Sequence, residues 1–407
     1  MPAGVYISVP FCRTKCSYCN FASDVFSKSA YENYVARIVE DITNAPRLSA
    51  EFGCAFDEQV DSIYLGGGTP SILESGQLLR IFEAVRGQFA VRSDAEITVE
   101  CAPGTLTDGL IDTLLRVGVN RVSLGVQSFV DKEAQSVGRQ HKRATVLEEV
   151  ARLRLAGLKN INIDLIAGLP HQSAESWTLS LTELVELGAP HASVYMLEVD
   201  EDSRLGRELM AGGTRYHAHF VPDDEATTDF YAQAGEMLNA AGIRQYEISN
   251  FARAGSESRH NLKYWTRQPY FGFGVDAHSM LPAAAAKGDA VRFASPDSLD
   301  AYMNRAPATV SKVSGRDAME ESFFLGLRLN RGVDLDALRA EFSTKALAAY
   351  NPAIEGCVGD GLLEEQGTTV RLTSRGRLMS NEVFARFLLD EPAIEEVEVG
   401  TGHVHPR

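Results

Sequence analysis

The sequence predicts an α/β fold, an incomplete barrel of six β/α units followed by a smaller α+β unit of winged-helix-like outline. Three observations carry that expectation. Short β-rich runs alternate with amphipathic helical patterns through the first half of the chain. Polar or glycine-rich signals fall at the C-terminal ends of those runs, the face of a barrel where function collects. The last third changes to helix, helix, hairpin and helix. A βαβα order implies a parallel sheet with right-handed crossovers. Six units, rather than the eight of a closed barrel, leave one side open to a bulky substrate.

The strand candidates are Val5–Val9, Ser62–Leu65, Glu96–Cys101, Arg121–Gly125, Asn160–Leu165 and Ala192–Met196. Between them, Tyr31–Ile42, Leu78–Phe89 and Thr145–Leu155 repeat apolar residues at the 3.6-residue helical period. Residues 1–198 are therefore assigned to the barrel and 199–313 to an extension of it. From about Val199 to Gly255 the extension reads as polar and helical, with turns at Gly212-Gly213 and Pro222-Asp223. It continues through RHNLKYW, YFGFGVDAHS and an alanine-rich loop over Pro282–Ala286. Residues 314–389 form the last unit: helices at Glu320–Leu329 and Leu335–Phe342, two strands turning at Gln366-Gly367, and a helix from Ser374. Residues 390–407 read as a disordered tail.

Composition narrows the class. The chain has 407 residues and a net charge of −16, which argues against a sequence-independent grip on nucleic acid, since that rests on lysine and arginine. No apolar run approaches the length of a bilayer span. The opening MPAGVYISVP lacks the basic-then-apolar pattern of a signal peptide. A reducing, cytoplasmic setting is expected. Of the six cysteines, Cys54, Cys101 and Cys357 are isolated and read as ordinary thiols.

The other three stand together in PFCRTKCSYCNF. Cys12, Cys16 and Cys19, spaced C-x3-C-x2-C, put three thiols on one short loop. Structural zinc wants four closed ligands, and no fourth Cys or His lies nearby. A [4Fe–4S] cube is commonly held by four thiolates, so three leave one iron open to an outside ligand. Gly66-Gly67-Gly68-Thr69-Pro70 follows an apolar strand, and consecutive glycines let backbone approach a ligand where a Cβ would collide. Glu100 and Asp164 end strands and can accept paired hydrogen bonds from ribose hydroxyls or an ammonium group. Gln127 adds an amide. Arg139 adds a forked cation that matches a carboxylate.

The cysteine loop, with Tyr18 before its last thiol, resembles the radical SAM signature, and GGGTP resembles that superfamily's glycine motif. The surrounding ECAP, GVQSF, GRQH and IDLIAGLP resemble the branch containing oxygen-independent coproporphyrinogen III oxidase. The oxidases of that branch carry C-x3-C-x2-C-x-C and an N-terminal extension. Here Phe21 stands where the extra cysteine would be, and the cluster motif begins at Cys12. Both departures, with His260-Asn261-Leu262-Lys263-Tyr264-Trp265 matching an HNxxYW motif, make the chain similar to the HemW-type haem chaperones. One departure runs the other way: Ser8 replaces the histidine of the family's YxHxPFC pattern.

The resemblance implies a radical SAM barrel with a [4Fe–4S] cluster on Cys12, Cys16 and Cys19. It implies an S-adenosylmethionine (SAM) site at Tyr6, Gly66, Gly67, Gly68, Thr69, Glu100, Gln127, Arg139 and Asp164. Haem is the implied cargo, with His260, Asn261, Tyr264, Trp265 and His278 as candidates; His260 serves as an axial ligand or only shapes a channel. His141 and His171 read as structural. The implied partners are an acceptor haemoprotein, an electron donor for the cluster and a second copy of the chain, with a membrane reached only through the acceptor. No catalytic residue is assigned. SAM cleavage to methionine and a 5′-deoxyadenosyl radical is implied by the fold. Decarboxylation of coproporphyrinogen is the alternative that the missing cysteine and Ser8 disfavour.

Overall fold

The computed structural model describes residues 1–285 and 288–389. The expected tail at 390–407 and the end of the alanine-rich loop lie outside the described residues. The six expected strands are present as β1 (Ala3–Val9), β2 (Gln59–Gly67), β3 (Ala90–Cys101), β4 (Arg121–Gln127), β5 (Asn160–Ala167) and β6 (His191–Met196). They lie side by side in chain order, all parallel. The incomplete six-unit barrel holds.

The sheet continues beyond those six. β8 (Asn250–Ala252) pairs antiparallel with β6, and β7 (Arg244–Gln245) antiparallel with β8. On the other side, β9 (Tyr270–Phe273) pairs parallel with β1, followed by β10 (His278–Pro282), β11 (Ala290–Ala294) and β12 (Thr309–Val313). One 12-stranded sheet results, with β12 and β7 as its two ends. These added strands are short, so no period stood out in the sequence. Gly272 lets β9 cross close to β10: a Cβ there would meet the His278 carbonyl oxygen at 2.1 Å.

Along the barrel strands every second residue faces a different environment, as the pleat requires. Val5, Ile7 and Val9, with Ile63, Leu65, Val99, Val122, Leu124, Ile161 and Ile163, join one continuous apolar core. The alternate positions are polar and meet each other inside. The Tyr64 hydroxyl donates to Glu100 at 2.7 Å, Ser123 to Asp164 at 3.2 Å, and the Asn162 amide to both Asp164 and Ser193. Parallel strands buried on both faces usually read as near-continuous apolar runs. Here the period-two polarity lines the interior with hydrogen-bonding side chains.

The HNxxYW segment forms a short helix, Arg259–Trp265, capped by the Ser258 hydroxyl. It seals the N-terminal end of the barrel, opposite the cysteine loop. Its His260 and Lys263 side chains pack against Gly4 at the start of β1. The Glu96 carboxylate accepts from the backbone N–H groups of both Arg259 and His260.

The last unit has a core of its own, built on Phe323, Leu338, Ile354, Cys357, Val370 and Phe387. β13 (Val333–Asp334), β14 (Leu363–Gln366) and β15 (Thr369–Leu372) form a small antiparallel sheet in the order β13-β15-β14. The wing turns at Gly367, whose φ of +63° suits glycine. The first helix runs Gly315–Gly326 rather than Glu320–Leu329. Ser314 and Asp317 close a reciprocal capping box that starts it earlier than apolar periodicity indicated. Among the described residues, no helix is long and apolar enough to cross a membrane.

Lys263 is the electrostatic peg of the barrel floor. It is 2% exposed, donates to the Pro2 carbonyl at 2.9 Å and pairs with Asp61 at 2.7 Å. Replacing Lys263 with Met leaves Asp61 without its partner. Because the Asp61 side chain keeps 27% of its surface, the expected loss is about 2–3 kcal/mol, below that of a fully buried pair. Urea unfolding of wild type beside Lys263→Met checks this; equal midpoints would remove the peg.

Candidate functional site

The cysteine loop is tied at its base before it can present any thiol. Cys12 N–H donates to the Asp24 carbonyl and Asp24 N–H to the Pro10 carbonyl, which closes residues 10–24 into a loop. Phe11 is fully buried and stacks on Tyr31 at 4.0 Å. Ser17 N–H is anchored to the Val137 carbonyl. The three thiols of the loop are partly exposed, whereas Cys54, Cys101 and Cys357 are buried. Burial pushes the Cys12 thiol up, against the hydrogen bond from the Thr69 hydroxyl at 3.6 Å.

The glycine run at the end of β2 supports that loop from below. Gly67 lies in the left-handed region at φ +97°, and a Cβ there would meet the Ser8 hydroxyl at 3.0 Å and the Tyr6 hydroxyl at 3.3 Å. Any side chain on Gly68 would strike the carbonyl oxygens of Val9 and Phe11, at 2.7 and 2.8 Å. Backbone cannot yield as a flexible side chain can, so these glycines are fixed by packing of the strand end against the loop. Gly67, Gly68 and Thr69 are thereby left on the wall of one cavity, with the Gly68 N–H donated to the Val9 carbonyl at 2.8 Å.

That cavity, about 740 Å³, is lined by Cys12, Cys16, Cys19, Gly67, Gly68, Thr69, Glu100, Gln127, Arg139 and Asp164. Its volume lies within the roughly 300–1,000 Å³ usual for small-ligand clefts. Its far wall comes from β6 (Tyr195, Met196) and from the C-terminal unit (Arg328 and Arg377–Glu382). Glu100 is pushed up to about 7 by burial and by the Asp164 charge, against the Tyr64 hydrogen bond. Burial also raises Asp164, opposed by Ser193, Asn162, Arg121 and Ser123. Burial works against the Arg139 cation, but the facing Tyr18, Cys16 and Asp164 outweigh it and hold the guanidinium charged. Arg139 donates to the Tyr18 hydroxyl at 3.2 Å while its Nε has no partner. Gln127 sits at φ +69°, a conformation costly for a non-glycine residue, which bends the end of β4 into the cavity.

Two residues expected at the SAM site lie just behind it. Tyr6 and Gly66 are absent from the cavity lining; Tyr6 supports Gly67, and Gly66 gives room to Glu100, whose Oε1 would be 2.9 Å from a Cβ there. The sequence reading missed Tyr64, Asn162 and Arg121. Arg121 opens β4, where strand ends are usually solvated, yet it is 2% exposed. Its charge bears on Glu100 and Asp164 alike. The signal available was the polar face of each strand at period two.

The HNxxYW residues are placed away from this cavity. His260 is 1% exposed; its Nδ1 contacts the Ser62 hydroxyl at 3.0 Å and its Nε2 the Tyr264 hydroxyl at 2.8 Å. Burial, then Lys263 and Arg121, bring it down to about 3. Both ring nitrogens of His260 are thus engaged by neighbours in the core. Asn261 is half-buried, its N–H on the cap Ser258. Trp265 touches the cavity only indirectly, through Arg328, whose guanidinium lies 4.3 Å from its ring centre. His278 is exposed on β10, 3.9 Å from Asp276.

Comparison with known proteins follows the same division. Residues 6–182 match the radical SAM superfamily model and residues 313–379 the HemN C-terminal domain model. The chain is 32% identical over 394 residues to the heme chaperone HemW of Lactococcus lactis, covering 96% of this chain and 98% of that one. It is 30% identical to heme chaperone HemW of Escherichia coli, covering 96% and 99%. A mouse mitochondrial protein, radical S-adenosyl methionine domain-containing protein 1, is 31% identical over 81% of this chain and 74% of its own. Among solved structures, the coproporphyrinogen III oxidase HemN of Escherichia coli superposes with a TM-score of 0.79 over 95% of this chain and 90% of that one. At 22% identity that likeness shows the fold.

The raised Glu100 carboxyl makes stability depend on pH in a stated direction. Its folded value of about 7 exceeds the ordinary 4.5, so the folded protein holds the proton longer. Stability is full below about 4.5 and falls as pH rises through about 7. Glu100→Gln removes that cost, so it is expected to exceed wild type by on the order of 3 kcal/mol at pH 8, with the gap closing toward pH 5. Denaturant unfolding at both pH values tests it, and a gap that widens toward pH 5 contradicts it.

Proposed function

Because the chain belongs to the heme chaperone HemW family of the radical SAM superfamily, we propose that it binds haem and delivers it to an acceptor protein. The observation that supports this most is similarity to HemW proteins over nearly the full length of both chains. Phe21, at the position of the further cysteine, adds to it. The superfamily implies a [4Fe–4S] cluster and SAM. The residues fit them: three partly exposed thiols on one tied loop, facing a cavity that also contains an unpartnered Arg139 Nε.

In this reading Cys12, Cys16 and Cys19 hold the cluster, and Thr69 donates a hydrogen bond toward the Cys12 sulfur. A reduced cluster supplies the electron for cleaving the sulfonium carbon–sulfur bond of SAM. The chain's own residues position the ligand. The Arg139 guanidinium suits the methionine carboxylate; Glu100 and Asp164 suit the ammonium or ribose hydroxyls, and the Gln127 amide serves the remainder, with the Gly67–Gly68 backbone forming the wall beside them. Arg121 beneath the two carboxylates offsets part of their mutual repulsion. The C-terminal unit closes the far wall and excludes water from that side.

The test is anaerobic and has two arms. Cluster-reconstituted protein loaded with haem is mixed with a haem-free acceptor, and transfer is followed in the visible spectrum. The same protein with SAM and reductant is given coproporphyrinogen III, and the porphyrin products are analysed. Haem transfer without vinyl product is expected, and stoichiometric decarboxylation would overturn the chaperone reading. Cys16→Ala is expected to abolish cluster absorption and to slow transfer at least about tenfold, as loss of a metal-site group does. A wild-type transfer rate in that variant would remove the cluster from the mechanism.

A further inference from the structure

A carrier must surrender its cargo, so the haem-iron ligand has to be reachable by an acceptor. Among the histidines of the described residues, His141, His191 and His260 are buried. His171, His217 and His219 instead gather in one place on the rim, beside the loop that leaves β5. His171 Nε2 lies 3.4 Å from His217 Nδ1, their ring centres 5.1 Å apart. His219 is exposed, and the ring of Phe220, 47% exposed, lies 4.0 Å from that of His171 and 4.1 Å from that of His219. None of these residues lines the cluster cavity.

The arrangement is held against a backbone cost. His171 and His217 both adopt the left-handed region, at φ +70° and +62°, which is unfavourable for residues with a Cβ and marks sites whose surroundings over-determine them. Glu208 provides that constraint. Its carboxylate accepts from the N–H of Tyr216 at 2.7 Å and of Ala218 at 3.1 Å, gripping the chain on both sides of His217. The carbonyl of Phe220 accepts from His171 N–H at 2.9 Å, which locks the two loops together.

Resting on the haem-carrier reading, we propose that His217 Nε2 is the axial ligand to haem iron and that His171 is the residue that positions it. A metal-binding imidazole commonly donates its other ring N–H to a neighbour, which fixes the tautomer and ring orientation. His217 Nδ1–H donating to His171 Nε2 does this and leaves the Nε2 lone pair for the metal. His171 Nε2 lies within 3.4 Å of that donor and accepts when its own ring proton is on Nδ1. The 3.4 Å spacing leaves no room for iron between the two rings in a trans pair, so a single ligand from this patch is indicated. Phe220 offers an aromatic surface beside it.

The experiment is an anaerobic haem titration of cluster-reconstituted full chain, followed in the Soret band. It compares wild type, His217→Asn, His171→Leu and His278→Ala with a His403→Ala/His405→Ala double variant. Asparagine tolerates the left-handed backbone, and cluster absorption and unfolding midpoint report that His217→Asn is intact. Saturable wild-type binding, weakened at least about tenfold by His217→Asn and weakened with a shifted Soret maximum by His171→Leu, supports the assignment. Wild-type binding unchanged in both rim variants, or lost instead in His278→Ala or the double variant, overturns it while the carrier reading stands. No saturable binding by wild type overturns both.

Discussion

Everything at the site depends on placing charge inside a barrel. Glu100 and Asp164 are held on neighbouring parts of the interior, each raised first by burial. Two carboxylates so placed repel each other unless a cation is fixed nearby. Arg121 supplies it from the next layer down, and Arg139 from above. The hydroxyls and amides of Tyr64, Ser123, Asn162 and Ser193 complete the network, since a half-satisfied polar interior is costly.

The floor is built by the same rule. The HNxxYW helix closes the barrel's N-terminal end with His260 between Ser62 and Tyr264, and with Lys263 bound to Pro2 and Asp61. A motif of histidine and aromatics reads in sequence as a ligand set; in the fold its His260 and Lys263 side chains pack into the barrel floor. The C-terminal unit docks beside it, Arg267 pairing with Glu321 at 3.2 Å, and carries Arg328 and Arg377 to the cavity wall. The cysteine loop and the polar interior line one cavity, while His171, His217 and His219 lie outside it.

Much of this was legible in the sequence because it rests on local rules. The six parallel strands follow from alternating β-rich and helical patterns. The thiol loop follows from its spacing, and the wing from Gln366-Gly367. What escaped depends on tertiary placement. β9 through β12 are too short to show a period, Arg121 sits where strand ends are usually solvated, and the capping box at Ser314 moved a helix start. Nothing in the sequence distinguishes a buried His260 from a free one. Equally, nothing brings His171 beside His217 until two loops, 46 residues apart in the chain, are folded together.

With cluster and SAM assigned to the cavity and haem to the rim, the two ligands do not compete for one space. The most direct measurement is the affinity of cluster-loaded protein for SAM, by equilibrium dialysis, with and without saturating haem. The account predicts that both ligands bind at once, with the SAM affinity changed by no more than about twofold, roughly 0.4 kcal/mol. Stoichiometric displacement of SAM by haem would contradict it, because the cargo would then occupy the cavity itself.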